Sequence, residues 1–230
     1  MKARLERVGA SLSPVVIVDE FSGNVDEVIR IADALAPFPP VSGVAYPGVR
    51  RFLGPADDAA YSYVLDACDR AAPYIGGAFD FLRFDLTESS FSVVTSRPET
   101  LAPIQRVPHF DSPDQSLLAM LHYLRVPEGS GTAFYRHKST GIERVTNDNL
   151  GQLAAAAEGE LTQDPPQQGY MNAGGAIFEQ IGIVEAIPDR LVIYQGSLLH
   201  SGIIPDSTVF SAAPGEGRLT ANLFVRGEFR

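Results

Sequence analysis

Apolar residues recur along this chain in two rhythms, and the change between them divides it. The segment "PVVIVDEF" (14–21) reads as a short strand. After it, "NVDEVIRIADALA" sets Val25, Val28, Ile29, Ile31 and Leu35 near helical spacing, with Asn24 as a cap and "PFPP" (37–40) as the stop. A Gly/Pro-rich loop then leads to a second helix over 56–73, with two aspartates in its first turn, where the helix dipole favours acids. From about 78 the rhythm becomes alternation. "AFDFLRFDLTESSFSVVTS" is rich in β-branched and aromatic residues and reads as extended chain.

Short strands separated by turn residues make up most of the remainder: "IQRVPHF", "LLAMLHYLRV", "GTAFYRH", "GAIFEQIGIVEAI", "RLVIYQG" and "RLTANLFVRG". One helical stretch interrupts them, "NDNLGQLAAAAEGEL", followed by the polar loop "TQDPPQQG". Strands at this spacing point to a mainly β protein with flanking helices, an antiparallel sandwich or barrel carrying the two N-terminal helices on one outer face. No repeat, linker or composition break marks a second domain. The expectation is a single domain over 1–230: an N-terminal strand and supporting helices over 1–75, a β core over 78–230, and a helical insertion near 147–169.

Composition narrows the classes. The 230 residues are 45% hydrophobic and 20% charged, ordinary for a globular chain, and the formal charge of −10 disfavours nucleic acid as a partner. The same charge mildly favours a neutral or basic small molecule, or a protein side chain, over phosphate-rich targets. Lys2, Arg4 and Arg7 read as a solvated tail. Cys68 is the one cysteine, so no intrachain disulfide forms, and its helical setting predicts a buried, inert thiol. No segment approaches the roughly 20 apolar residues of a membrane span, and a cytoplasmic location is the default. Oligomeric state is open, a homodimer included.

Candidate chemistry begins at "VPHFDSPDQ" (107–115). On extended backbone side chains alternate, so His109 and Asp111 share a face and can reach one ion. His200, at the end of "RLVIYQGSLLH", is the best third ligand. Two imidazoles and a carboxylate on one side of an ion leave the opposite positions open, the facial arrangement of non-haem iron(II) oxygenases. Arg218 and Thr220 share a face of the last strand, where a guanidinium fork beside a hydroxyl suits a carboxylate. Blander readings exist for each residue: His109 and Asp111 as a surface pair, His200 as a turn histidine. His137, between Arg136 and Lys138, reads as a solvated histidine at a polar strand end. The strip "RHKSTGIER" (136–144) is locally basic; it lies near the expected site mouth but reads first as a solvated hairpin.

Taken in order, "HFD" (109–111), "LHYLR" (121–125), "GSGTAF" (129–134), "RLVIYQGSLLHSG" (190–202) and "RLT" (218–220) resemble the iron(II)/2-oxoglutarate-dependent dioxygenases, in their prolyl-4-hydroxylase-like branch. The resemblance covers about 105 to 226. It implies a double-stranded β-helix (jelly-roll, cupin-like) core. His109, Asp111 and His200 would be the iron ligands, and Arg218 would meet the distal carboxylate of 2-oxoglutarate. Tyr123 and Thr220 are further cosubstrate contacts. Dioxygen completes the reactants, with hydroxylation of a small molecule or protein side chain as the outcome. A carboxylate at 111 argues against halogenation. The long stretch "IIPDSTVFSAAPGEG" between His200 and Arg218 must be a loop insertion. Two other readings compete: a non-catalytic β-sandwich or cupin-like binding module, and an AlkB-like demethylase hinted at by Arg218 and Arg226. A serine hydrolase lacks its Gly-x-Ser-x-Gly elbow.

Overall fold

The computed structural model describes residues 2–41 and 46–230. Among them lie strands β1 (Lys2–Val8), β2 (Ser13–Asp19), β3 (Gly48–Phe52), β4 (Phe81–Val94), β5 (Leu117–Arg125), β6 (Gly131–His137), β7 (Phe178–Glu185), β8 (Arg190–Gln195), β9 (His200–Ile203) and β10 (Arg218–Phe229). Helices α1 (Val25–Ala34), α2 (Asp58–Phe79) and α3 (Leu150–Gln163) flank them. The strands form two antiparallel sheets facing each other, a major one ordered β1-β2-β8-β5-β10-β4-β3 and a minor one ordered β7-β6-β9. This is the double-stranded β-helix, or jelly-roll, architecture.

The pleat decides what faces what. Each central strand of the major sheet sends alternate side chains to opposite faces. Val16, Val18, Met120 and Ile193 pack outward against Val64, Ala71 and Ile75 of α2. Val15, Ile17, Ala119, Val192 and Tyr194 point inward, toward Phe134 and Val184 of the minor sheet. β8 is buried on both faces, which is why "LVIY" (191–194) is apolar throughout rather than alternating. Each such Val, Leu or Ile contributes about 1.5–3 kcal/mol by leaving water. Beneath α3 a third cluster, with Ala133, Tyr135, Leu153 and Phe178, covers the outer face of the minor sheet.

Several expectations are corrected. The basic N-terminus is an edge strand, β1, whose Lys2 and Arg4 lie opposite Asp19 and Ile17 of β2. An edge strand open to solvent keeps charged residues, so its pattern looks like a tail. Of the loop expected between the first two helices, residues 42–45 lie outside the described residues, and 48–52 form β3 against β4. Helix α2 runs through Pro73 to Phe79 and ends where Asp80 turns left-handed at φ 58°. Its buried stripe continues to Ile75 and Phe79, and that packing outweighs the roughly 3 kcal/mol a proline costs inside a helix. The segment before His109 is not a strand: Pro103–Arg106 forms a 3-10 turn, and His109 makes a single bridge to His200. No helix among the described residues is long and apolar enough to cross a membrane.

Candidate metal centre

His109 and His200 are joined through their backbones. The His109 amide donates to the His200 carbonyl (2.9 Å) and the His200 amide donates back (2.8 Å). Directly opposed residues of an antiparallel pair put their side chains on one side, and the two rings lie 4.3 Å apart by centroid. Two residues on, the Asp111 amide donates to the Gly196 carbonyl at 2.7 Å, which holds its carboxylate on that same side. The ligand atoms of all three residues lie within 4.8 Å of one another. Bonds of about 2.1 Å place adjacent ligands of a facial set about 3 Å apart, so shifts of about an ångström in each side chain would close the set on one ion. Gly196 makes the close approach feasible: a Cβ there would sit 3.3 Å from Asp111 Cβ and 3.4 Å from its Oδ2.

The protonation states suit a cation. His200 Nδ1 lies 2.7 Å from the Leu198 carbonyl; a carbonyl only accepts, so Nδ1 carries the proton and Nε2 keeps its lone pair for the centre. Burial pushes His200 down to about 4. Burial and the neighbouring His200 do the same to His109, against the pull of Asp111. His109 and Asp111 open onto cavity solvent, yet protein closes their other sides. Burial lifts Asp111 to about 6, opposed by His109 and Arg50. At neutral pH the set is therefore two neutral imidazoles and one carboxylate, the donor chemistry of a facial triad.

The three residues line one cavity of about 250 Å³, which Arg218, Thr220, Arg50, Tyr46 and Tyr170 also line. Arg218 is buried, its Nε donating to Ser130 Oγ at 2.8 Å, and no described carboxylate lies within ion-pair reach of it. Burial lowers its pKa, with the hydroxyls of Tyr46, Tyr123 and Tyr170 opposing. Thr220 stands opposite Tyr123 across β10 and β5. Tyr123 is fully buried, its hydroxyl 2.7 Å from Thr132 Oγ1, and Thr132 rather than Tyr123 lines the cavity.

The remaining histidines go elsewhere. His122 faces the helical layer, between the Tyr63 hydroxyl (2.8 Å) and Asp189 (3.0 Å). His137 is not solvated: it is fully buried against Phe178, its Nδ1 2.9 Å from Thr140 Oγ1, because α3 covers that strand end. The basic strip is not at the site mouth. Arg136 pairs with Glu143 and Glu179, and Lys138 donates to the Gly175 carbonyl. Arg226 pairs with Asp114 at the surface, which removes the hint of a second nucleic-acid arginine. Cys68 is buried as expected. Sequence reasoning missed Tyr46, Arg50, Gln105 and Tyr170 as cavity residues, whereas Asn222, two residues beyond Thr220 on the same strand face, lines the cavity as that spacing allows. A strand reading of "GVRRF" would have aimed Arg50 inward.

By architecture the chain is a double-stranded β-helix protein with the fold of iron(II)/2-oxoglutarate-dependent oxygenases. It belongs to a family of unknown function, DUF6445, whose model matches residues 1–225. Among solved structures it is similar to HygX from Streptomyces hygroscopicus with nickel and 2-oxoglutarate bound: TM-score 0.56, 13% identity, 94% of this chain and 84% of that one covered. It is also similar to SnoN, a non-haem alpha-ketoglutarate-dependent epimerase from nogalamycin biosynthesis: TM-score 0.52, 16% identity, 94% and 78% covered. The likeness to a Pseudomonas putida prolyl-4-hydroxylase has a TM-score of 0.47, with 13% identity and 95% and 94% covered. The fold is the one these oxygenases share, and it does not single out the prolyl-4-hydroxylase-like branch expected from the motifs. No protein of curated function matches the chain by sequence.

Proposed function

We propose that the protein is an iron(II)- and 2-oxoglutarate-dependent oxygenase that hydroxylates an organic substrate. One juxtaposition carries the reading: three converging metal-type ligands, all within 4.8 Å, in the same cavity as a buried arginine with no described acid partner. A binding module with idle histidines has no need for such an arginine. A buried guanidinium is expensive unless something anionic meets it, and a dicarboxylate anchored on the metal is such a group.

In this reading His109, Asp111 and His200 hold the metal, and Arg218 takes the distal carboxylate of 2-oxoglutarate, with Thr220 beside it. When bound, iron(II) and 2-oxoglutarate supply the oxidising power with dioxygen, releasing succinate and carbon dioxide as a substrate C–H bond is hydroxylated. The chain's own part is positional. The Leu198 carbonyl fixes the His200 tautomer, and Tyr194 packs edge-on against the same ring, 4.8 Å by centroid. Ser130 holds Arg218 Nε, leaving the other guanidinium nitrogens for a ligand. Phe224, Leu121 and Ile204 keep part of the cavity wall apolar, which limits water near the centre. All residues assigned to this chemistry fall within 1–230 as one functional unit.

Anaerobic titration with iron(II) and 2-oxoglutarate tests the proposal. A weak visible charge-transfer band should grow in for wild type and be absent for His109→Ala. Under air, the wild type should then form succinate without added substrate. A wild-type protein that binds iron(II) but shows no 2-oxoglutarate-dependent band would refute the reading.

A further inference from the structure

The same cavity holds a second arginine that the proposed function does not use. Arg50 sits on β3, the edge strand of the major sheet, opposite Ser92 of β4. Its Nε donates to Ser92 Oγ at 3.0 Å, and its guanidinium lies over the Tyr46 ring, 4.6 Å from the centroid. These two contacts orient the side chain while leaving its terminal nitrogens available. The nearest acid, Glu88, stands 3.8 Å from Nη1 and is 42% exposed, too loose and too wet a partner to neutralise it.

A second observation points to a ligand. The Tyr46 hydroxyl is buried, and although Ser92 Oγ–H can donate to its oxygen, its own O–H has no acceptor among the described residues. Ser92 Oγ, its polar neighbour, already accepts from Arg50 Nε and from Asn222 Nδ2 (2.7 Å), so both its lone pairs are committed. A buried O–H without an acceptor is a costly arrangement that a bound acceptor relieves.

Charge gives the class of that acceptor. The ionised residues lining the cavity are Arg50, Arg218 and Asp111, a net of one positive charge. A divalent ion adds two positive charges and 2-oxoglutarate two negative ones, so the loaded cavity keeps one positive charge unmatched, within a chain whose overall charge is −10. Arg218 is at the buried end, whereas Arg50 belongs to an edge strand. Resting on the oxygenase reading, we infer that Arg50 and the Tyr46 hydroxyl form an anion subsite for the primary substrate, which is a small organic acid bound through a carboxylate. This reverses the expectation drawn from net charge, which favoured a neutral or basic substrate: the local field at the cavity opposes the average one.

The test uses the full chain loaded with nickel(II) and 2-oxoglutarate. Calorimetry follows binding of acetate, hexanoate and 3-phenylpropionate against their primary amides. At least one acid should bind about tenfold or more tightly than its amide. Arg50→Gln should erase that preference, Arg50→Lys should keep part of it, and Tyr46→Phe should weaken it. Affinity for 2-oxoglutarate should stay within about twofold in Arg50→Gln, with circular dichroism unchanged. Three results would overturn the inference: no acid preferred over its amide, a preference that survives Arg50→Gln, or a loss of 2-oxoglutarate affinity in that variant. If wild type fails to take up nickel(II) and 2-oxoglutarate at all, the oxygenase reading falls and takes the subsite with it. Intact loading without acid preference removes the subsite alone.

Discussion

Arg218→Met should stabilise the protein without 2-oxoglutarate and remove most of the stabilisation that 2-oxoglutarate gives. Methionine matches the reach of the arginine stem and removes the charge. The Ser130 hydroxyl loses Arg218 Nε but still donates to the Ile203 carbonyl at 3.2 Å, so no new orphan is created. Without cosubstrate, the variant sheds a buried guanidinium that lacks an acid partner, and should gain about 1–3 kcal/mol. For a chain of this length that is a rise in Tm of roughly 2–10 °C. With cosubstrate the two proteins gain unequally. At a concentration near 100 times Kd, 2-oxoglutarate should stabilise nickel-loaded wild type by about 2.7 kcal/mol, or roughly 5–10 °C. Leaving its distal carboxylate unpaired in a buried site costs about 3–5 kcal/mol, a loss of 10²-fold or more in affinity, so the same concentration should move the variant by under about 2 °C. Differential scanning calorimetry on the nickel-loaded proteins reads both numbers. A variant that keeps the wild-type shift would show that Arg218 does not hold the cosubstrate. A variant destabilised before any ligand is added would make Arg218 a structural residue instead.

Two further outcomes follow from the geometry of the centre. Burial raises Asp111 to about 6, so its proton competes with the metal: metal affinity should hold above pH 6 and fall by up to about tenfold per unit below it. The fall should steepen near 4, where His109 and His200 also take protons. Calorimetric nickel binding between about pH 7.5 and 3.5 checks both, and a flat profile would contradict the burial argument. In Gly196→Ala the new Cβ meets Asp111 Oδ2 at 3.4 Å and Leu117 Cδ2 at 3.2 Å, so the carboxylate must shift by a few tenths of an ångström. Metal affinity should drop about tenfold with the fold retained; unchanged affinity would mean that the approach at residue 196 does not position Asp111.

Where a strand is buried, its pattern was legible. "LLAML" and "LVIY" are apolar because β5 and β8 lie centrally in the major sheet, and His122 and Tyr123, adjacent on β5, point to opposite faces as strand alternation requires. The same alternation put His109 and Asp111 on one side, and Arg218 and Thr220 together. Local chemistry also marked α1, whose Asn24 cap accepts from the Glu27 amide at 3.4 Å.

Edges and long-range partners were not legible. β1 and β3 border solvent or a cavity, so burial imposes no apolar alternation on them, and Arg50 stayed hidden in a strand that reads as loop. His137 looks polar by its neighbours and is buried only because a helix from later in the chain lies over it. The chain alone determined which residue types and local periodicities were available: the paired ligands, the strand faces and the helical stripes. Tertiary structure decided which of them meet. The bridge between His109 and His200, the Ser92 hydroxyl shared by Arg50 and Asn222, and the cavity between the two arginines all join residues far apart in sequence. Periodicity reports the environment of one segment, whereas a site is a distance between several.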